Sequence, residues 1–463
     1  MKPSMLHLPL AWVLFCCPVM AQAEPGEDSE LEALRQEIRS LRVDYETRIA
    51  ELEARLDAAE KAAADNQAPQ AELSEAAAVT APAYPAVQSP QTVSVARDSS
   101  FNPAIGVTFQ GQAWSYGNDP EDYLVPGYPL GGEAGPAPEG LSLAETEITV
   151  SANVDDKFTA MLTVPIAVED GEVEVEIEEA WIETLGLPGG LAIRMGRFFS
   201  DIGYLNSRHF HAWDFADQPL VYQVFLGQQY LDDGLRLRWM APTDFYLEFS
   251  GEVLRGDRYP AAGAASSGFG ATTLSAQTGG DVGFSNSWLL GLSWLGAEAV
   301  DRESGGEDDP LLFTGDTDLL IVDFVWKWAP NGNWRERNFT FQAEYLWRNE
   351  QGEYTEPGGS TGPWDLDQDG WYAQAVYQPF PRWRFGARMD RLSGDDPGSF
   401  WLGTPLYPVG SDPTRYSLMV DWSNSEFSRL RFQYNYDSAA ERSDNQFGLQ
   451  YIFSVGAHGA HSF

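Results

Sequence analysis

From residue 101 onward apolar side chains recur at every second position, and a chain patterned this way folds as strands with one dry and one wet face. Leu430, Phe432, Tyr434 and Tyr436 alternate with Arg431, Gln433 and Asn435. Trp383, Phe385, Ala387 and Met389 alternate with Arg384, Gly386, Arg388 and Asp390. Phe339, Phe341, Ala343, Tyr345 and Trp347 alternate with Thr340, Gln342 and Glu344. A soluble sandwich alternates too, so the period alone does not separate it from a barrel.

The connections separate them. The pattern places strands at 103–117, 141–154, 157–168, 172–185, 190–198, 230–240, 244–256, 270–283, 286–299, 316–329, 336–350, 369–380, 382–394, 413–424, 428–438 and 445–463. Links after odd strands are mostly long (118–140, 199–229, 257–269, 300–315, 351–368, 395–412), and those after even strands are tight, as at Asp155-Asp156 and Phe380-Pro381. Short turns on one rim and long loops on the other describe an all-β transmembrane barrel of about sixteen antiparallel strands, with its turns in the periplasm. Phe447, Leu449, Tyr451, Phe453, Val455 and Phe463 share one parity, the lipid-facing one, and closure removes edges that lipid cannot satisfy.

The region before the barrel reads differently. Lys2, the apolar run Met5 to Met20 and Ala21-Gln22-Ala23 read as a signal peptide over 1–23. Leu31, Leu34, Ile38, Leu41, Tyr45, Ile49, Leu52, Leu56 and Ala59 form a heptad seam, a coiled coil over 24–65 that belongs in the periplasm. An Ala/Pro-rich linker follows over 66–100. Cys16 and Cys17 are the only cysteines, so the exported chain has no disulfide. A net charge of −40 excludes nucleic acid as a partner. No later stretch reaches the roughly 20 apolar residues of a membrane helix, and 13% aromatic residues suit the girdles of a bacterial outer-membrane barrel. Its surroundings are then outer-membrane lipid and lipopolysaccharide.

With the dry face outward, the other parity lines the lumen. Glu145, Glu147, Glu174, Glu176, Glu178, Glu248 and Glu252 make an acidic wall; Arg194, Arg236, Arg238, Arg384, Arg388, Arg415, Arg429 and Arg431 make a basic one. Opposed rows of charge give a transverse field that orders polar solutes; alternatively the two signs pair and brace the wall. The longest connection, 199–229, stands where sixteen-stranded porins fold a loop into the channel. Its centre holds Arg208, His209, His211, Trp213, Asp214 and Asp217. His209 and His211, with Asp214 or Asp217 near, suit a divalent metal such as zinc, or the group lines an eyelet and bonds loop backbone. His458 and His461 form a second imidazole pair near the periplasmic rim. The outer loops carry Asp119, Glu121 and Asp122, then Asp301, Glu303, Glu307, Asp308 and Asp309. Asp365-Leu366-Asp367-Gln368-Asp369-Gly370 opens like a calcium loop but has Val376 where the twelfth-position glutamate belongs. No nucleophile, base and orienter stand together, so an enzyme is not expected.

The coiled coil and barrel together resemble trimeric outer-membrane porins with a periplasmic coiled coil, of the DcaP type and the phosphate-selective type. More specifically, Phe101-Asn102-Pro103-Ala104-Ile105, Gly196-Arg197-Phe198-Phe199-Ser200-Asp201-Ile202-Gly203-Tyr204-Leu205-Asn206, His211-Ala212-Trp213-Asp214-Phe215, Trp326-Lys327-Trp328-Ala329-Pro330-Asn331-Gly332 and Gly456-Ala457-His458-Gly459-Ala460-His461 resemble a proteobacterial family described as zinc-regulated, TonB-dependent outer-membrane receptors. The resemblance implies a homotrimer held through barrel and coiled coil, and zinc as bound or transported metal with no other cofactor. The TonB label departs from this sequence, because such receptors house a large plug domain in about twenty-two strands, and only coiled coil and linker precede Phe101. The expectation is a porin for small polar solutes, divalent metal included; a TonB-type transporter and an envelope tether are the other readings.

Overall fold

The computed structural model describes residues 103–456 apart from 132–133, 170–171, 264–267, 306–309, 411 and 426. The chain divides into two units, Met1–Ala96 and Arg97–Phe463, and the described residues belong to the second. The signal peptide, coiled coil and linker, and with them Glu307, Asp308, Asp309, His458, His461 and Phe463, lie outside the described residues.

One sheet of eighteen antiparallel strand segments makes up the barrel. The segments are β1 (Ala104–Ser115), β2 (Gly140–Leu143), β3 (Thr146–Asn153), β4 (Phe158–Glu169), β5 (Glu172–Val175), β6 (Glu179–Thr184), β7 (Leu191–Phe199), β8 (Leu231–Met240) and β9 (Tyr246–Leu254). Then come β10 (Ala271–Val282), β11 (Asn286–Ser304), β12 (Leu311–Trp328), β13 (Asn338–Thr355), β14 (Thr361–Phe380), β15 (Trp383–Gly394), β16 (Thr414–Ser425), β17 (Ser428–Asp437) and β18 (Asp444–Gly456). β1 pairs with β2 and β3, and β4 pairs with β5 and β6, so each of these couples is one broken stave and the staves number sixteen. β18 closes on β1 with Phe109 opposite Phe453. Among the described residues, this closure gives every strand a neighbour on both sides.

Both broken staves change parity at the break. Leu141 and Leu143 point outward on β2, whereas even-numbered Ile148 and Val150 occupy the outer positions of β3. Val173, Val175 and Ile177 are exposed, after which Glu179 is buried and Ala180 takes the outer parity. An extra residue in a strand does this, because side chains alternate with a period of two. The two breaks flank β4, whose Pro165 faces Glu147 and whose Thr163 faces Glu179.

Around the barrel the outer face is apolar. Leu235, Leu237, Leu290, Leu292, Val322, Phe324, Phe385, Leu418, Phe432 and Leu449 are all exposed large side chains. Trp239, Trp326, Tyr377, Trp383 and Trp422 gather near the short turns, and Trp347, Tyr416, Tyr436 and Phe447 lie toward the other rim. From Tyr416 to Trp422 the strand rises roughly 20 Å at about 3.4 Å per residue, close to the apolar band of outer-membrane barrels.

Two expectations are corrected here. The strands β11 to β14 are 19, 18, 18 and 20 residues long, so the connections expected at 300–315 and 351–368 shrink to 305–310 and 356–360. Asp365-Leu366-Asp367-Gln368-Asp369-Gly370 is part of β14, not a calcium loop: Asp365 and Asp367 face out while Leu366 and Gln368 are buried inside. The reason is that these strands rise past the apolar band, where the pattern inverts. Phe313, Tyr354, Trp364 and Leu366 point inward and pack on Trp401 and Leu406 of the 395–413 connection.

Candidate functional site

Residues 200–230 run back into the barrel. A seven-residue helix, α1 (Leu220–Leu226), is buried along its whole length. It packs beside β14 and β15, and with Ile202, Leu205 and Trp213 it joins a core formed with Leu319, Ile321, Leu346, Tyr372 and Leu392 of the wall. Burying each such large side chain is worth about 1.5–3 kcal/mol, which offsets the cost of ordering a long segment. Asp390 accepts from the Leu220 amide at 3.2 Å, and Arg348 donates to the Val224 carbonyl at 3.2 Å. Wall charges thus match both ends of the helix dipole.

The neck of the loop is tied by Asn206, which donates to the Ser200 and Tyr230 carbonyls at 2.9 and 2.8 Å and accepts from the Tyr230 amide at 2.7 Å. Glu252 accepts from the Asp201 amide at 3.0 Å and from Ser200 Oγ. Glu344 accepts from the amides of Tyr204 and Leu205 at 3.1 and 2.9 Å and from the Tyr222 hydroxyl at 2.9 Å. Between them Gly203 has φ +64°, and a Cβ there would run into a Glu344 carboxylate oxygen. Only glycine lets the backbone turn this close to the carboxylate.

Toward β15, β16 and β17 the loop presents aspartates to arginines. Asp214 pairs with Arg384 at 2.8 Å; Asp217 pairs with Arg388 at 2.8 Å and Arg415 at 3.3 Å. Gln433 and Asn435 donate to Asp217 at 2.5 and 2.9 Å. Burial opposes the Asp217 charge, but Arg388 and Arg415 outweigh it and hold its pKa below the usual carboxylate range. Arg431 donates to the Trp213 carbonyl, and Arg429 to that of His211. The wall also carries its own acids: Asp421 meets Arg384 and Arg431, Asp390 meets Arg388, and Asp437 meets Arg415. Seven of the eight lumen arginines named from the sequence thus have a close acid partner, and Arg429 reaches the shared Asp421 only at 4.0 Å. Arg194 meets Glu183, Arg236 meets Glu252, and Arg238 meets Glu183 and Glu248.

On the opposite side the signs reverse. His209 caps a short turn at Phe210–Ala212 and His211 sits within it, and their rings stack with centroids 5.7 Å apart. His211 Nδ1 lies 2.8 Å from Glu147 Oε1, and His209 Nε2 lies 3.0 Å from Glu179 Oε2. His209 Nδ1 faces two carboxylate oxygens at once, Glu178 Oε2 at 3.2 Å and Glu147 Oε2 at 3.4 Å. These three atoms are buried with no hydrogen-bond partner. Burial disfavours a charged His209 ring, but Glu178, Glu147 and Glu179 overcome this and hold the pKa well above the usual histidine range. The expectation that Asp214 or Asp217 would join the histidines is corrected: both are held by arginines on the far side, and the acids beside the histidines come from the wall.

Glu179, absent from the sequence-based acidic wall, faces the lumen because the break before β6 turns Glu178 and Glu179 inward together. The signal was the shift of apolar parity from Val173, Val175 and Ile177 to Ala180 and Ile182. Asp390, Asp421 and Asp437 share the parity of the neighbouring arginines and were legible in the same way. Glu145, Glu174 and Glu176 line a cavity of about 720 Å³ at the long-loop rim, together with Glu178, Trp213, Asp217 and Arg415. Glu176 also meets Arg258 at 3.2 Å, and Arg208 lies over the Tyr204 ring. The cavity therefore reaches both sides of the inward loop.

No protein-family model matches the chain. A protein of Aquifex aeolicus named as uncharacterized is 32% identical over 343 residues, 70% of this chain and 70% of that one. Similar solved structures include a trimer form of the outer membrane protein OmpT of Vibrio cholerae, with 11% identity, 77% of this chain and 100% of that chain covered, and a TM-score of 0.47. OprB of Pseudomonas putida has 13% identity, 77% and 94% coverage and a TM-score of 0.48. The outer membrane channel DcaP of Acinetobacter baumannii has 11% identity, 77% and 98% coverage and a TM-score of 0.48.

Proposed function

We propose that this chain, which belongs to one family with the Aquifex aeolicus protein, is an outer-membrane diffusion channel for small polar solutes, divalent cations such as zinc among them. The observation that carries the reading is the pairing of a closed, outwardly apolar barrel with a loop of its own seated in the polar lumen. Exposed Leu, Val and Phe on all sides would aggregate a soluble protein, whereas a bilayer solvates them. Lipid and lipopolysaccharide are then its surroundings, and assembly as a trimer fits the very exposed Leu141, Val173 and Val175 of the broken staves.

Solutes would enter the 720 Å³ vestibule and meet the loop. Acidic Glu174, Glu176 and Glu178 line that vestibule, and the arginines deeper in are neutralised by aspartates, so the field favours cations. A TonB-driven receptor would need a wider barrel around a plug domain, and sixteen staves around an internal loop favour passive passage. Planar-bilayer recording under a KCl gradient tests the proposal. Discrete conductance steps with a cation-selective reversal potential are expected. A protein that inserts without conducting would overturn the channel, and an anion-selective reversal would overturn the sign of its cargo.

A further inference from the structure

Glu147 is 1% exposed, yet its Oε2 has no hydrogen-bond partner among the described residues; nor have Glu178 Oε2 and His209 Nδ1. All three atoms lie within 4.8 Å of one another. A charge-assisted hydrogen bond would draw such atoms to about 2.7–2.9 Å, as Glu147 Oε1 and His211 achieve at 2.8 Å. Instead His209 Nδ1 stands off two oxygens at 3.2 and 3.4 Å. A tetrahedral ion with bonds of about 2.0–2.1 Å spaces its donors by roughly 3.3 Å. The two separations from His209 Nδ1 match those between donors around one such ion.

The surroundings agree. His209 Nε2 faces Glu179 at 3.0 Å, the carboxylate–histidine arrangement that fixes the ring with its other nitrogen free for a metal. His211 holds the second oxygen of Glu147 and so orients that carboxylate. One imidazole with two carboxylates suits a borderline divalent ion such as zinc over calcium or magnesium, which take oxygen alone. Three donors leave a fourth position open, as in sites that exchange what they bind. Glu178 also lines the vestibule, which gives an ion its route in.

We infer that Glu147, Glu178 and His209 form a three-donor site for a transition-metal dication in the lumen, with Glu179 and His211 as positioning residues. The site bridges the loop, the stave of β3 and the stave of β5 and β6, so occupancy ties the loop to the acidic wall. Its role in transport rests on the channel reading above; its binding of metal does not.

The test is calorimetric titration of ZnCl2 into the metal-stripped, detergent-folded protein carrying His458→Ala and His461→Ala, which removes the tail imidazoles. One zinc per chain is expected. His209→Ala and Glu178→Gln should each weaken binding a hundredfold or more, and Glu179→Gln or His211→Ala about tenfold. Equal affinity in His209→Ala, no saturable binding, or calcium bound as tightly as zinc would each overturn the site. Zinc-edge absorption of the unsubstituted chain with the same tail changes covers any variant that fails to fold. One imidazole nitrogen and two carboxylate oxygens are expected near 2.0–2.2 Å, and a shell with two imidazoles or with oxygen alone would overturn the assignment. A channel that conducts but binds no zinc defeats this inference alone; zinc binding without conductance defeats the channel alone.

Discussion

Inside the barrel the loop 200–230 meets two walls of opposite sign, and the two contacts end differently. Toward β15, β16 and β17, Asp217 gathers Arg388, Arg415, Gln433 and Asn435 around one carboxylate. Toward β3 and β6, His209 faces three carboxylates and leaves Glu147 Oε2, Glu178 Oε2 and its own Nδ1 without hydrogen bonds. Buried charges are stable when every lone pair and proton has a partner. The Asp217 side, whose carboxylate is fully engaged, therefore acts as the latch that seats the loop, while the His209 side keeps two carboxylate oxygens and an imidazole nitrogen turned toward one another.

The latch is the side whose removal should cost most. Asp217→Ala leaves Arg388 and Arg415 short of a partner and should destabilise the seated loop by about 3–5 kcal/mol. It would show as larger conductance steps and proteolysis within 200–230; unchanged steps would place the latch elsewhere. Zinc sharpens the contrast from the other side. At a hundred times its Kd, an ion that binds only the folded state stabilises by about 2.7 kcal/mol, so thermal melts should move upward in the wild type and stay still in His209→Ala. A rise in both would detach the effect from this site.

Glu344→Gln probes the neck, which both sides share. It keeps the shape but turns one acceptor oxygen facing the Tyr204, Leu205 and Tyr222 donors into an amide, and about 2 kcal/mol should be lost. Equilibrium unfolding measures it, and a loss equal to that of Asp217→Ala would erase the ranking of neck and latch. The smallest effect is the response to acid. Asp217 is held below the usual carboxylate range, so its contribution is complete above its unfolded pKa near 4 and fades only as pH falls through the lower folded value. Conductance should thus hold steady down to about pH 4; steps that widen already at pH 5 would show that Arg388 and Arg415 do not hold that charge.

Much of the barrel was legible in the sequence because a closed sheet with an apolar outer face and a polar inner face keeps the period of two in every strand. Within the described residues each of the sixteen expected ranges falls on one stave, down to short turns such as Asp155-Asp156, though 457–463 of the last range lie outside them. What escaped was the height of β11 to β14, where the strands leave the apolar band and the pattern turns inside out. The metal-like cluster was half legible. His209 and His211 stood out by their spacing, but their partners lie about 30 to 60 positions earlier and are delivered by strand register across β4. Register over that distance is set by closure of the whole sheet rather than by local pattern. The parity shift after Ile177 was the one local cue that two glutamates turn inward together.

Single-channel recording with zinc added to the long-loop side tests the account most directly, run in parallel on the wild type and Glu178→Gln. Small cation-selective steps are expected in both, reduced or slowed by zinc in the wild type and insensitive to it in Glu178→Gln. Steps equally sensitive to zinc in the two proteins, or unaffected in either, would contradict the picture of a loop latched by arginine on one side and open to a metal ion on the other.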